Sequence, residues 1–143
     1  IEPIWSNSYV KDIAKIKTTI KNPFLVDLLE EKGQNTTEVW RSIRDFDGSV
    51  QHLDFLSENE KDVFKTYPEI DQNVIVYQAA NRQNHIDQGQ SINVMVHPDM
   101  PIKDVNNIYI TAWKLGIKSM YYQHSMNAAQ KFKQKKSCDS CEG

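Results

Sequence analysis

The sequence predicts an α/β fold in which helices alternate with the strands of a parallel sheet, as part of a barrel. Apolar residues recur at helical spacing in several segments, and short segments rich in β-branched residues lie between groups of them. The order is strand, helices, strand, helices, strand, helix, strand, which is typical of parallel sheets. A handful of strands cannot close a barrel. We therefore expect the chain to be the C-terminal part of a larger protein, and the lack of an initiator methionine favours the same view.

The first half of the chain carries clear helix signals. Asn22 and Pro23 are typical of an N-cap and a first helical residue, and Gly33 is typical of a residue that ends a helix. Ser57 and Glu60 have the spacing of a capping box. The elements predicted here are one or two strands or a short helix at 8–20, helices at 22–33, 36–47 and 57–64, and a short strand at 49–53.

The second half predicts two helices and two strands. Pro68 is expected to start a longer helix, and Gly116 to end the last one. Ile92, Val94 and Val96 occupy alternate positions, as in a strand. The predicted elements are a helix at 68–82, a connection at 86–90, a strand at 91–97, a helix at 101–115 and a final strand at 117–123.

Composition and charge exclude several classes of protein. At 143 residues the chain is at most one domain, long enough to bury a core. Its net charge of -2 argues against nucleic acid as the main partner. No apolar run approaches the ~18 to 20 residues of a membrane span, and the N-terminus has none of the features of a signal peptide. We therefore expect a cytoplasmic protein without a membrane partner.

Beyond His124 the sequence is polar, and we expect a disordered tail. Its basic cluster, residues 131–136, is typical of an extended, solvated linker, and docking to an acidic partner is the alternative. The only two cysteines, Cys138 and Cys141, lie at its end. At ~3.3 Å per residue, an extended chain from Tyr122 to Cys138 reaches roughly 50 Å.

The Cys-x-x-Cys pair indicates redox chemistry. On a mobile tail, Cys138 and Cys141 are well placed to cycle between dithiol and disulfide by exchange with a partner disulfide. Half of a zinc site is an alternative, but a structural zinc ion needs four ligands and the four histidines have no zinc-finger spacing. A tail without a role is the third alternative.

The adjacent Tyr121 and Tyr122 suggest a second redox device, because tyrosine can be oxidised to a radical. The alternative is ordinary packing at the end of a strand, where aromatic residues are common. Successive strand residues face opposite sides of a sheet. Placing both rings in one redox path therefore requires a bulge or the end of a strand.

Short segments spread over essentially the whole chain carry a resemblance to a known family. They are Ile1–Pro3, Ser6–Tyr9, Asn22–Pro23, Leu28–Leu29, 47–51, 64–66, 69–70, 79–82, Ile86–Asn93, Ala112–Lys118 and Gly116–Tyr122. In the same order, these segments resemble the large (alpha) subunit of class I ribonucleotide reductase. The match in order makes the resemblance specific.

This resemblance implies a ten-stranded α/β barrel that reduces ribonucleoside diphosphates to deoxyribonucleotides. Residues 1–123 would be the C-terminal part of that barrel, and residues 124–143 a flexible redox tail. Tyr121 and Tyr122 match the tyrosines that pass a radical from a small (beta) subunit, with Tyr122 facing that subunit. Cys138 and Cys141 match the pair that re-reduces the active-site disulfide and is then reduced by thioredoxin or glutaredoxin.

The resemblance also implies what this segment lacks. The family's thiyl-forming cysteine, its substrate-reducing cysteines and its nucleotide effector sites lie upstream, and the radical cofactor belongs to the beta subunit. We therefore expect this segment to bind no cofactor itself and to be inactive without the upstream part. Two other hypotheses stay open at this stage, namely a free-standing thiol–disulfide or electron-transfer module and a purely structural α/β interaction domain.

Overall fold

The computed structural model of the protein describes residues 2–13 and 16–125. The chain divides into two compact units, residues 1–69 and 70–143. In the part of the chain that the structure describes, none of the helices combines the length and apolar character needed to cross a membrane.

The first unit begins with a two-stranded antiparallel sheet. Strand β1 (Ser8–Ile13) pairs with strand β2 (Ile16–Lys21), with Ser8 opposite Lys21. The β-branched segment at 8–20 thus forms two strands, which was one of the alternatives that the sequence allowed. This pairing is antiparallel, whereas the sequence predicted a parallel sheet, because the two strands follow each other directly and no helix crosses between them.

Three helices follow, and their N-termini confirm the predicted caps. Helix α1 (Pro23–Glu31) starts after Asn22, whose side chain accepts a hydrogen bond from Phe24 N at 3.2 Å. Helix α2 is Thr37–Asp45, and helix α3 is Glu58–Val63. Ser57 and Glu60 form the complete capping box at the start of α3.

The strand predicted at 49–53 is wrong. The chain forms successive turns there, in which Leu53 N donates to Val50 O at 3.1 Å and Leu56 N donates to Leu53 O at 3.2 Å. Val50, Leu53 and Leu56 are all buried, at a spacing of three residues. The period of two that a strand requires is therefore absent. The core of this unit consists of Leu25, Leu29, Trp40, Ile43, Val50, Leu53, Leu56 and Phe64.

A buried asparagine joins the elements of this unit. Asn7 is 0% exposed, and its Nδ2 donates to Gly48 O at 2.9 Å and to Phe64 O at 2.8 Å. Its Oδ1 accepts from Asn22 Nδ2 at 2.9 Å. Gly48 lies against Ser6 and Asn7. Its φ is 85°, a conformation that glycine adopts without strain.

His52 is held between an aromatic ring and a serine. Its ring stacks on Phe46 with centroids 4.0 Å apart, and its Nε2 lies 2.6 Å from Ser42 Oγ. Its Nδ1 is buried and has no hydrogen-bond partner among the described residues. Burial lowers the pKa of His52, and the weaker effects of Asp54 and Glu69 oppose that change.

The second unit contains two helices and a parallel strand pair. Helix α4 (Gln72–Gln83) starts at the cap Asp71, so the prediction that Pro68 starts it is wrong. Pro68 instead lies in a 3-10 turn, Tyr67–Glu69, where Glu69 Oε2 accepts from Thr66 N at 2.8 Å and closes the turn locally. Helix α5 is Ile102–Lys114, and Gly116 follows it with φ of 77°.

Strand β3 (Val94–Met95) pairs in parallel with strand β4 (Gln123–His124), which confirms the parallel pairing expected of these two segments. Strand β3 is shorter than the strand predicted at 91–97, and β4 overlaps the strand predicted at 117–123 only at Gln123. Gln72 holds β3 to the start of α4, because its Oε1 accepts from Met95 N at 2.8 Å. The core here consists of Val76, Val94, Val96, Ile108 and Ala112.

We predict that Gly48→Ala destabilises the first unit strongly. An added Cβ would lie 1.9 Å from Ser6 Oγ and 2.8 Å from Asn7 N. Strain at positive φ and overpacking together should lower the free energy of unfolding by roughly 3 kcal/mol. Urea unfolding followed by tryptophan fluorescence measures this change, with Trp40 in the core of the first unit as one reporter.

Gly33→Ala is the matched control, because Gly33 has φ of 64° and nothing lies within 4 Å of the added Cβ. The control should lose only about 1–2 kcal/mol, and equal losses in the two variants would contradict the role of close packing at Gly48.

We also predict that His52 makes stability depend on pH. The folded state holds the pKa of His52 below its unfolded value of about 6.5, so the unfolded state binds the proton more readily. The contribution of neutral His52 to the free energy of unfolding is complete above pH ~6.5. It is lost as the pH falls from there through the pKa of His52 in the folded state. Between pH 7.5 and pH 5.5, the free energy of urea unfolding should fall more for the native chain than for His52→Gln. The same loss in both would mean that other groups cause the pH dependence.

Candidate functional site

The rings of Tyr121 and Tyr122 are in contact at the entry to β4. Their centroids lie 4.2 Å apart, with an angle of 63° between the ring planes. The side chains are 60% and 57% exposed. The pair therefore lies at the start of a strand, one of the two places where the sequence analysis allowed adjacent rings to meet.

The backbone of the two tyrosines is bonded to the residues around β3. Tyr121 N donates to Ile92 O at 2.8 Å, and Val94 N donates to Tyr122 O at 2.9 Å. Tyr122 N donates to the side-chain Oδ1 of Asn93 at 3.2 Å. The position of the ring pair is thus set by three consecutive residues of one segment.

Two further ring-bearing residues make contacts at β4 and its entry. The His124 ring is 5.8 Å from the Tyr122 ring, centroid to centroid, with an angle of 58° between the planes. The hydroxyl of Tyr109, on α5, donates to Gln123 Oε1 at 3.0 Å. These contacts connect β4 to α5 through side chains.

Two glutamines hold the loop that connects α4 to β3. Gln83 Nε2 donates to Ile86 O at 2.9 Å and to Gln88 O at 3.0 Å. Gln90 Nε2 donates to Ala79 O at 2.8 Å and to Gln83 Oε1 at 3.2 Å. The loop is therefore fixed to the last turns of α4 by amide side chains, which satisfy its backbone carbonyls.

The same loop supports the segment that leads to the tyrosines. Ser119 Oγ donates to Gln90 O at 3.3 Å, and Lys118 Nζ donates to Asp87 O. Gly89 lies so close that a Cβ added there would be 2.6 Å from Ser119 Oγ. The approach to Tyr121 is thus held by side-chain bonds and close packing as well as by the strand pair.

Two large apolar residues, one near each end of α5, are exposed. Ile102 is 87% exposed and Trp113 is 74% exposed, whereas Ile108 and Ala112 are buried. Exposed residues of this size are typical of surfaces that contact another segment or protein.

Cys138 and Cys141 lie outside the described residues, as does the basic cluster at 131–136. Within 2–13 and 16–125, no group of three or more histidine, cysteine or acidic side chains is arranged to hold a metal ion.

The sequence analysis did not single out the polar residues that support the site. Gln90 falls at the end of the predicted connection and Asn93 in the predicted strand, and neither pattern assigns a role to its side chain. Their roles depend on which backbone groups lie nearby, and no local pattern encodes that. The one local sign of such a role is the group of amide residues from the end of α4 to β3, which includes Gln83, Gln88 and Gln90.

The sequence model of the ribonucleotide reductase barrel domain matches residues 1–123. The helix-connected parallel pair β3–β4 agrees with a barrel-derived α/β fold. The chain belongs to the ribonucleotide reductase barrel-domain family.

Individual relatives agree with this assignment. The large subunit of ribonucleoside-diphosphate reductase from Invertebrate iridescent virus 3 is 44% identical over 127 residues, covering 87% of this chain and 20% of that protein. The putative large subunit from Frog virus 3 is 38% identical over 152 residues, covering 100% of this chain and 27% of that protein. The solved alpha subunit of the class Id ribonucleotide reductase of Actinobacillus ureae has a TM-score of 0.79 and 54% identity, covering 90% of this chain and 23% of that one. The chain thus spans a minor part of each relative and corresponds to a region of their large subunits.

Proposed function

We propose that this chain is the C-terminal segment of a ribonucleoside-diphosphate reductase large subunit, completing a ten-stranded barrel with the upstream part of that subunit. In this role it supplies two radical-transfer tyrosines and a C-terminal dithiol for the reduction of ribonucleoside diphosphates to deoxyribonucleotides. The observation that carries the proposal is the contact between the Tyr121 and Tyr122 rings, 4.2 Å between centroids, in a member of this family.

The chemistry of tyrosine explains why two phenols in contact suit this task. The hydroxyl of a phenol carries a proton, and one-electron oxidation of the phenol releases that proton as well as an electron. Contact between the rings lets the oxidised state pass from Tyr122 to Tyr121 without an intervening group. Tyr121 then oxidises the thiyl-forming cysteine of the upstream part and becomes a phenol again.

The exposure of the rings supports a role at a junction between proteins. More than half of each side chain is open to solvent in this chain. A radical passed along this route has to be kept from water and side reactions. As the family resemblance implies, Tyr122 faces the beta subunit, which generates the radical with its own cofactor, and Tyr121 faces the upstream part of the large subunit.

The cysteine pair supplies the reducing equivalents. One thiolate attacks the active-site disulfide, and the second completes the exchange. Two electrons and two protons thereby move from the Cys138–Cys141 dithiol to the active-site cysteines, and a Cys138–Cys141 disulfide forms. Thioredoxin or glutaredoxin then reduces this disulfide. Nucleotide effectors bind upstream, this segment holds no cofactor of its own, and the assembly works in the cytoplasm.

We predict that Tyr121→Phe and Tyr122→Phe each reduce turnover to background in the assembled enzyme. Phenylalanine keeps the ring and its packing but removes the hydroxyl proton that the oxidation requires. Thermal melts, substrate binding and beta-subunit association should change little. Product formation and decay of the beta-subunit radical are the measurements.

Tyr77→Phe is the matched control for this experiment, because Tyr77 is 53% exposed on α4 and lies away from the strand pair in sequence. It should keep nearly full turnover. Near-normal turnover in either the Tyr121 or the Tyr122 variant would contradict radical transfer through the pair and favour ordinary packing at the end of a strand.

We predict that Cys138→Ser or Cys141→Ser abolishes multiple turnover with thioredoxin or glutaredoxin as reductant. With dithiothreitol, turnover should survive in part, because a small dithiol reaches the active-site disulfide directly. Steady-state assays with both kinds of reductant measure the difference. An equal loss with both would mean that these cysteines do not shuttle electrons.

A further inference from the structure

The backbone ladder beneath the two tyrosines is irregular by one residue. In a regular parallel ladder, a residue bonds through its N–H and its C=O to two residues that are two apart on the neighbouring strand. Tyr122 O accepts from Val94 N, so Tyr122 N would donate to Ile92 O in a regular ladder. Instead, Ile92 O accepts from Tyr121 N at 2.8 Å. The two tyrosines therefore occupy the place of one ladder residue, as in a β-bulge.

This irregularity explains how consecutive side chains meet. Along a regular strand the rings of Tyr121 and Tyr122 would point to opposite faces of the sheet. A bulge re-aims one side chain relative to the next, and the rings here come within 4.2 Å. The ring contact thus depends on keeping the bulged register.

The bulge leaves one backbone donor without its ladder acceptor, and Asn93 replaces that acceptor. Tyr122 N donates to Asn93 Oδ1 at 3.2 Å. Asn93 lies between Ile92 and Val94, the two residues whose backbone bonds the tyrosines, so its side chain reaches the donor across a short distance. Without this acceptor, the bond that the ladder offers to Tyr122 N is the one to Ile92 O, and that bond requires the regular register.

We propose that Asn93 is a positioning residue that holds the bulged register and thereby keeps the rings of Tyr121 and Tyr122 in contact. This inference rests on the proposed radical transfer through the pair. It adds a residue that touches neither substrate nor radical cofactor but selects the backbone register in which transfer is possible.

The test compares Asn93→Leu, which keeps the approximate size but removes the acceptor, with Asn93→Asp, which keeps an acceptor oxygen. The assembled enzyme is studied by residue-resolved amide hydrogen exchange and by steady-state turnover. Asn59→Leu is the control, because Asn59 is an exposed residue of α3. Thermal melts of each variant separate a local effect from a loss of fold.

In Asn93→Leu, one of the two tyrosine amides should lose protection, with exchange up to about tenfold faster, as expected for the loss of one hydrogen bond. The kcat should fall by about tenfold or more, because small displacements of reacting groups are costly, while KM and the melting temperature change little. Asn93→Asp should keep both amides protected and most of the kcat. Asn59→Leu should match the native enzyme in both measurements.

Unchanged exchange at both amides in Asn93→Leu would overturn the inference, and so would faster exchange with an unchanged kcat. In the second case, inactive Tyr121→Phe and Tyr122→Phe variants would still uphold the proposed function. If those phenylalanine variants are fully active, the proposed function fails, and with it the catalytic part of this inference. The exchange pattern alone then decides whether Asn93 holds the bulge.

Discussion

The first unit depends on the hydrogen bonds of one buried side-chain amide. Asn7 is fully buried, and its side chain bonds three segments that are distant in sequence, namely the cap of α1, the turn at Gly48 and the end of α3. These bonds satisfy the amide of Asn7, which is fully buried, and a buried polar group left without a partner costs about 1–3 kcal/mol. The apolar core supplies most of the stabilisation but does not specify direction. The amide supplies that direction, because its hydrogen bonds require the three segments to lie at fixed distances from it.

The second unit uses the same principle around the tyrosines. Amide side chains of Gln83 and Gln90 hold the loop after α4, and Asn93 bonds the backbone where the strand ladder departs from regularity. Such side-chain bonds hold an irregular backbone in one conformation, as ladder hydrogen bonds do for a regular strand. The site can thus present two neighbouring rings on the same side of a strand, which a regular ladder cannot do.

Local signals in the sequence predicted the starts of α1 and α3 but not that of α4, because an N-cap or a capping box involves residues only two or three positions apart. Asn22 and the Ser57–Glu60 pair are examples. The segment at 49–53 was mistaken for a strand, since its burial pattern is set by the core that it faces. The adjacent tyrosines were evident from the sequence, and so was the need for a bulge or a strand end. The identity of Asn93 as the acceptor was not, because it follows from the register of two strands that are about thirty residues apart in sequence.

Each of the two sheets described here has only two strands. A pair of strands is marginally stable alone, and its outer edges carry backbone groups that another strand can bond. A newly synthesised chain with such edges is at risk of aggregation through unintended strand pairing. In the described residues this risk is greatest at the hairpin β1–β2, where the exposed Tyr9 and Val10 add apolar surface. Folding in the presence of the segments that cover these edges would remove that hazard, so the timing of assembly bears on how much usable protein a cell obtains.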